Sequence, residues 1–97
     1  MAKFHFTRKA VEDLTEIWNY TLEAWSEKQA DKYYNLLLSA CAELAKKPNL
    51  GKKYEIVSSG LLGYRSGEHI IFYSIVSKNE IEVIRILHGK MDLKSKL

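Results

Sequence analysis

The chain has 97 residues, 46% of them hydrophobic and 28% charged, with a formal net charge of +3. That length and balance predict one folded domain spanning 1–97 and exclude a disordered chain. No apolar run approaches the roughly 18 residues of a membrane span, and the start MAKFHFTRKAVED has no apolar signal core, so a cytoplasmic protein with no membrane partner is expected.

FHFT, residues 4–7, alternates as a short strand, and Thr7 is placed to cap a helix. Ala10, Val11, Leu14, Ile17, Trp18, Thr21, Leu22 and Trp25 recur at helical period, with Glu12, Asp13, Glu16, Asn19 and Glu23 opposite them. Ser26 with Gln29 three residues later reads as a capping box. The second helix carries a stripe of Ala30, Tyr33, Tyr34, Leu37, Leu38, Cys41, Leu44 and Ala45, and Pro48 ends it. Cys41 is the only cysteine, so it makes no internal disulfide. Its place on the stripe predicts a buried structural thiol and not a nucleophile. Two amphipathic helices joined so tightly fold back as a hairpin that needs a sheet to cover it.

The second half supplies that sheet. Residues 50–59 form a loop or short strand, LLGYRS at 61–66 a strand, and HIIFYSIVS at 69–77 a central strand. Lys78-Asn79 fits a two-residue turn in which Asn tolerates positive φ, leading into IEVIRILH at 81–88. The expected fold class is α+β, in the order β-α-α-β-β-β, with the helix hairpin packed on a small, mainly antiparallel sheet. The last strands are apolar on nearly every residue, so both faces should be covered. The second cover is either a segment from another chain or the C-terminal residues.

Charge is unevenly placed. Residues 85–97 hold Arg85, Lys90, Lys94 and Lys96 against Asp92 alone, which accounts for the whole net excess. Such an end is either a solubilising tail or a patch for phosphates or an acidic partner. Arg65 and Arg85 fall inside strand patterns, where a guanidinium needs a reason. The reason is either an ion pair, with Glu82 or Glu68 as candidates, or an open face that meets an oxyanion. His88 ends its strand with a side chain suited to proton transfer. Ribonucleolytic cleavage would draw on His88, Arg65, Arg85 and Tyr73 as base, acid and phosphate-binding groups. His5, His69 and His88 have no ligand spacing with cysteine, and there is no glycine-rich phosphate loop, so neither metal nor cofactor is expected.

Gly63-Tyr64-Arg65, then Gly67-x-His69-x-Ile71-Phe72-Tyr73, then Arg85-Ile86-Leu87-His88-x-x-Met91-Asp92 together resemble the ParE branch of the RelE/ParE toxin superfamily. Pro48-x-x-Gly51 and the helix hairpin with Trp25 at its bend match as well. The resemblance covers nearly the whole chain. It implies a type II toxin that poisons DNA gyrase, is not itself an enzyme, and is held in a heteromeric complex by a cognate, ParD-like, DNA-binding antitoxin. RelE-like relatives cut messenger RNA on the ribosome instead, using lysines and arginines with a tyrosine or histidine near the C-terminus. After His88 this chain has Met91-Asp92, the ParE-like ending, which favours gyrase poisoning over nuclease activity. A third possibility is a non-toxic member that only binds antitoxin, which predicts no growth defect on expression.

The toxicity surface expected on this basis is Arg65, Arg85, His88, Lys90, Met91 and Asp92. The antitoxin is expected against the helix hairpin and the bare sheet face, at Leu14, Trp18, Trp25, Tyr33, Leu37, Ile71 and Tyr73. Poisoning carried by the basic end should weaken with salt and on replacing Lys90, Lys94 and Lys96 by Gln.

Overall fold

A computed structural model of the chain describes residues 2–90 and 97. The elements run β1 (Lys3–Phe6), α1 (Arg8–Ala24), α2 (Glu27–Lys46), a 3-10 turn (Pro48–Leu50), β2 (Lys52–Lys53), β3 (Leu62–Ser66), β4 (His69–Ser77) and β5 (Glu80–His88). Both expected caps form. The Thr7 hydroxyl accepts from the Ala10 N–H at 3.1 Å, and the Ser26 hydroxyl accepts from the Gln29 N–H at 3.1 Å. Each satisfies one of the amides that a helix start leaves without an internal partner.

The strands form one mixed sheet in the order β1-β5-β4-β3-β2. The pairs from β2 to β5 are antiparallel, and β1 joins β5 in parallel, with Phe4 beside Ile81 and Phe6 beside Val83. This is the expected α+β class with a short strand, β2, added. Residues 78 and 79 turn as expected, but no described non-glycine residue has a positive φ. A register irregularity between Ile75 and Ser77 takes up the misfit between turn and strands instead.

A second irregularity matters more. Tyr73 faces Val83 but Phe72 faces Arg85, so β5 holds one extra residue, Ile84. Helix-facing positions therefore run Ile81, Val83 and then Ile86, where a regular strand would continue with residue 85. Those residues close the main core with Ile71, Tyr73, Ala10, Leu14, Leu37, Cys41, Leu44 and Ala45. Burial pushes the Cys41 thiol up to about 12, which keeps it protonated and inert, as its place on the stripe predicts.

The other sheet face carries Ile70, Phe72 and Leu87. Among the described residues the chain's own 54–61 segment lies over it, a cover that the sequence pattern does not suggest. Leu61 is buried there, Tyr54 and Val57 pack beside it, and the Tyr54 ring meets Phe72 edge-on at 5.2 Å. The segment is a run of turns, held by Tyr54 N–H to Leu61 O at 2.9 Å and Val57 N–H to Tyr54 O at 3.0 Å. It has no periodic pattern to announce it.

Candidate functional site

Arg85 is drawn into the molecule. Its Nε donates to Asp13 Oδ2 at 2.7 Å and its Nη2 to Asp13 Oδ1 at 2.9 Å. The same Oδ2 accepts the Ile86 N–H at 3.0 Å. The reason lies at the sheet edge. β1 stops pairing at Phe6, beside Val83. Beyond it, α1 satisfies the exposed backbone of β5, with the Thr7 hydroxyl donating to Ile84 O at 2.7 Å and the Asp13 carboxylate taking Ile86 N–H. The guanidinium at the bulge neutralises that carboxylate. The Arg85 side chain is 17% exposed and that of Asp13 9%. The hydrogen bonds to Asp13 hold the Arg85 pKa above its ordinary value. The ion-pair explanation of Arg85 is therefore the right one, with Asp13 as partner and not Glu82 or Glu68. Asp13 lies on the buried face of α1, three residues from Ala10, and not on the polar face where its charge had suggested.

Tyr73 is fully buried. Its hydroxyl donates to Pro48 O at 2.7 Å and accepts the Gly51 N–H at 2.8 Å. A Cβ on Gly51 would collide with that hydroxyl, so the Pro48-x-x-Gly51 spacing is a seat for Tyr73. Both hydrogen-bonding roles of the Tyr73 hydroxyl are thus taken up by backbone. Leu14, Leu37, Ile71 and Tyr73 are all closed inside the core, so these four of the seven residues expected under a partner present no surface. Trp25 is exposed, and Trp18 and Tyr33 are half-buried. The indole of Trp18 meets the Tyr34 ring edge-on at 6.0 Å, and Val11, Leu22 and Trp25 extend an exposed apolar ridge along α1.

What remains gathers at one end of the sheet, where the β3–β4 turn meets the end of β5. Gly67 in that turn has φ of 61°, and a Cβ there would lie 2.7 Å from the Tyr33 ring. The Tyr33 hydroxyl accepts the Glu68 N–H at 3.0 Å and lies 2.6 Å from His69 Nδ1. His69 faces His88 across the strand pair, ring centroids 5.5 Å apart. His88 Nδ1 accepts the Lys90 N–H at 3.2 Å. Arg65 lies over Gly89, its Nε donating to Gly67 O at 3.2 Å and its Nη2 3.9 Å from Glu68.

Of the expected toxicity surface, Arg65, His88 and Lys90 are brought together here and Arg85 is not. Met91 and Asp92, like Lys94 and Lys96, lie outside the described residues. Sequence reasoning passed over Tyr33 and His69 as members of this site, because they meet only through the turn. Among the described residues no group of three or more His, Cys, Asp or Glu is placed to hold a metal.

Burial, and then the neighbouring His88, lower the His69 pKa below 6.5. The fold thus favours the neutral ring. Its contribution to stability is complete above pH of about 6.5 and is lost as pH falls from there through the lower folded value. The thermal midpoint should drop as pH falls below about 6.5 toward the lower folded value, with a shallower slope in His69→Gln. Equal slopes would remove His69 as the titrating group.

The family described as "ParE toxin of type II toxin-antitoxin system, parDE" matches residues 4–93. Toxin ParE1 of Caulobacter vibrioides is 31% identical over 97 residues, covering 100% of this chain and 99% of that protein. Toxin ParE1 of Mycobacterium tuberculosis is 32% identical over 84 residues, covering 87% of this chain and 86% of that one. The fold is shared with a chain of the chromosomal ParDE TA system from P. aeruginosa, at TM-score 0.76 and 20% identity over 91% of this chain and 96% of that chain. It is shared too with a chain of the toxin-antitoxin complex RelBE2 from Mycobacterium tuberculosis, at TM-score 0.60 and 22% identity over 90% and 96%.

Proposed function

Because the chain belongs to the ParE toxin family of type II toxin–antitoxin systems, we propose that it poisons DNA gyrase as a binding protein and is neutralised by a cognate, ParD-like, DNA-binding antitoxin. The observation that carries the non-enzymatic reading is the fate of the nuclease candidates. Arg85 is bound bidentately to Asp13 and Tyr73 is sealed in the core, so of the four nuclease candidates only Arg65 and His88 stand together on the surface. The antitoxin is assigned to the ridge of Val11, Trp18, Leu22, Trp25 and Tyr34, an apolar strip that among the described residues is exposed except for the half-buried Trp18.

The test is supercoiling of relaxed plasmid by purified gyrase with and without the chain, scoring cleaved DNA. Inhibition with accumulated linear DNA is expected, weakening as salt rises. No effect at excess toxin would sink the reading. The second reading is a ribosome-dependent messenger RNA endoribonuclease, and the paired His69 and His88 beside Arg65 are what favour it. It predicts cleaved messenger RNA on ribosomes, abolished by His88→Ala, with gyrase untouched.

A further inference from the structure

The hydrogen bonds around the two histidines have a definite polarity. The Lys90 amide can only donate, so His88 Nδ1 is the acceptor and the ring proton sits on Nε2. The Tyr33 hydroxyl already accepts the Glu68 N–H. Its own proton goes to His69 Nδ1 at 2.6 Å, since the other acceptor in reach, Ser66 O, is 3.5 Å away. His69 is thereby also an Nε2–H donor, and burial keeps the ring neutral.

No described residue bonds either Nε2–H. No side-chain polar atom among the described residues is buried without a partner, so both groups reach solvent. Beside them lie the Arg65 guanidinium, with Nη1 against Gly89, and the exposed Lys90. Among the described residues two carboxylates act on His69: Asp13, already bound to Arg85, and Glu68, 3.9 Å from Arg65 Nη2 with its side chain 69% exposed. A pair so long and so wet holds weakly and yields to a better anion.

The end of the sheet is thus a surface of donors. A cation would have to displace the Nε2 protons, whereas an oxyanion accepts from them as they stand. We propose that Arg65, His69, His88 and Lys90 form a site for the backbone phosphates of a nucleic acid, with Tyr33 as the positioning residue that fixes the His69 tautomer. The inference rests on the gyrase reading only for what the site would serve, which is contact with DNA in the poisoned complex.

The experiment is fluorescence anisotropy of the full chain with a labelled short duplex oligonucleotide, without gyrase, across a salt series. Imidazole nitrogen spectra of His69 and His88 are recorded alongside. Binding is expected, with both Nε2 signals shifted. Arg65→Gln should weaken it about tenfold, and Lys90→Gln should lower the salt slope by about one. Tyr33→Phe should weaken binding and change the His69 nitrogen signature while the circular dichroism stays the same. Lys78→Gln, in the turn at the other end of β5, should do nothing.

An equal loss in Lys78→Gln, or binding with unshifted histidines, would overturn the site. Inorganic phosphate that shifts the histidines where the oligonucleotide does not would overturn the nucleic-acid assignment. The supercoiling assay separates the two readings. Poisoning by a chain that binds no oligonucleotide removes the phosphate site and leaves the gyrase reading standing. Oligonucleotide binding without poisoning does the reverse.

Discussion

Replacing Asp13 by alanine should destabilise the domain by about 3–5 kcal/mol. The loss has two parts. A guanidinium whose side chain is 17% exposed keeps its charge and loses both bonds to the carboxylate. The Ile86 N–H, at an edge that β1 no longer covers, loses its acceptor. The exposed pair of Lys47 and Glu43, 3.6 Å apart one helical turn from each other, is worth well under about 1 kcal/mol by contrast. Urea unfolding measures the difference. A second change, Arg85→Met in the Asp13→Ala background, should recover part of the loss, because it removes the charge that Asp13 neutralised. A single variant that unfolds at the wild-type midpoint would show that the pair does not hold the edge.

Tyr73→Phe should cost about 1–3 kcal/mol, since two part-buried backbone groups, Pro48 O and the Gly51 N–H, lose their partner together. Burial raises the Tyr73 pKa, so the hydroxyl stays protonated and serves as a bridge, not a base. The same substitution separates structure from chemistry. A structural tyrosine predicts a lower unfolding midpoint with toxicity per folded molecule unchanged. A catalytic one predicts normal stability and lost activity, and that pattern would contradict the geometry.

The helices were legible because their signals are local. The stripes of α1 and α2 repeat within a few residues, and Thr7 and Ser26 cap helices that begin one residue later. Asp13 was misread for the complementary reason. Its partner is 72 residues away, and only a bulge that puts two residues of β5 opposite one of β4 brings Arg85 to it. Helical period placed Asp13 with the acids of α1, although it also sits three residues from Ala10 on the buried face. An arginine inside an apolar strand and an acid on an apolar helix face are each anomalous alone, and together they mark a pair. The cover over Phe72 was not legible, because the 54–61 segment is built from turns and has no period to read. The site at the end of the sheet was half legible. Arg65, His88 and Lys90 stood out by type, while Tyr33 and His69 join them only through a turn that Gly67 permits.

The parallel pairing of β1 with β5 also has a consequence for the order in which the molecule assembles on the ribosome. β1 emerges first, yet its place in the sheet is defined by Glu80 to Val83, and the cap residue that follows it bonds Ile84, 77 residues on. The helix hairpin can gather as soon as it is made, but its apolar stripes have no complete sheet to lie on until β5 arrives. Sequence-distant pairing of this kind forms late and slowly. A translating ribosome therefore carries a sticky, unfinished hairpin from the end of α2 at Lys46 until β5 is made. The last of the described strands to appear, β5, is the one that bridges β1 to β4 and completes the sheet.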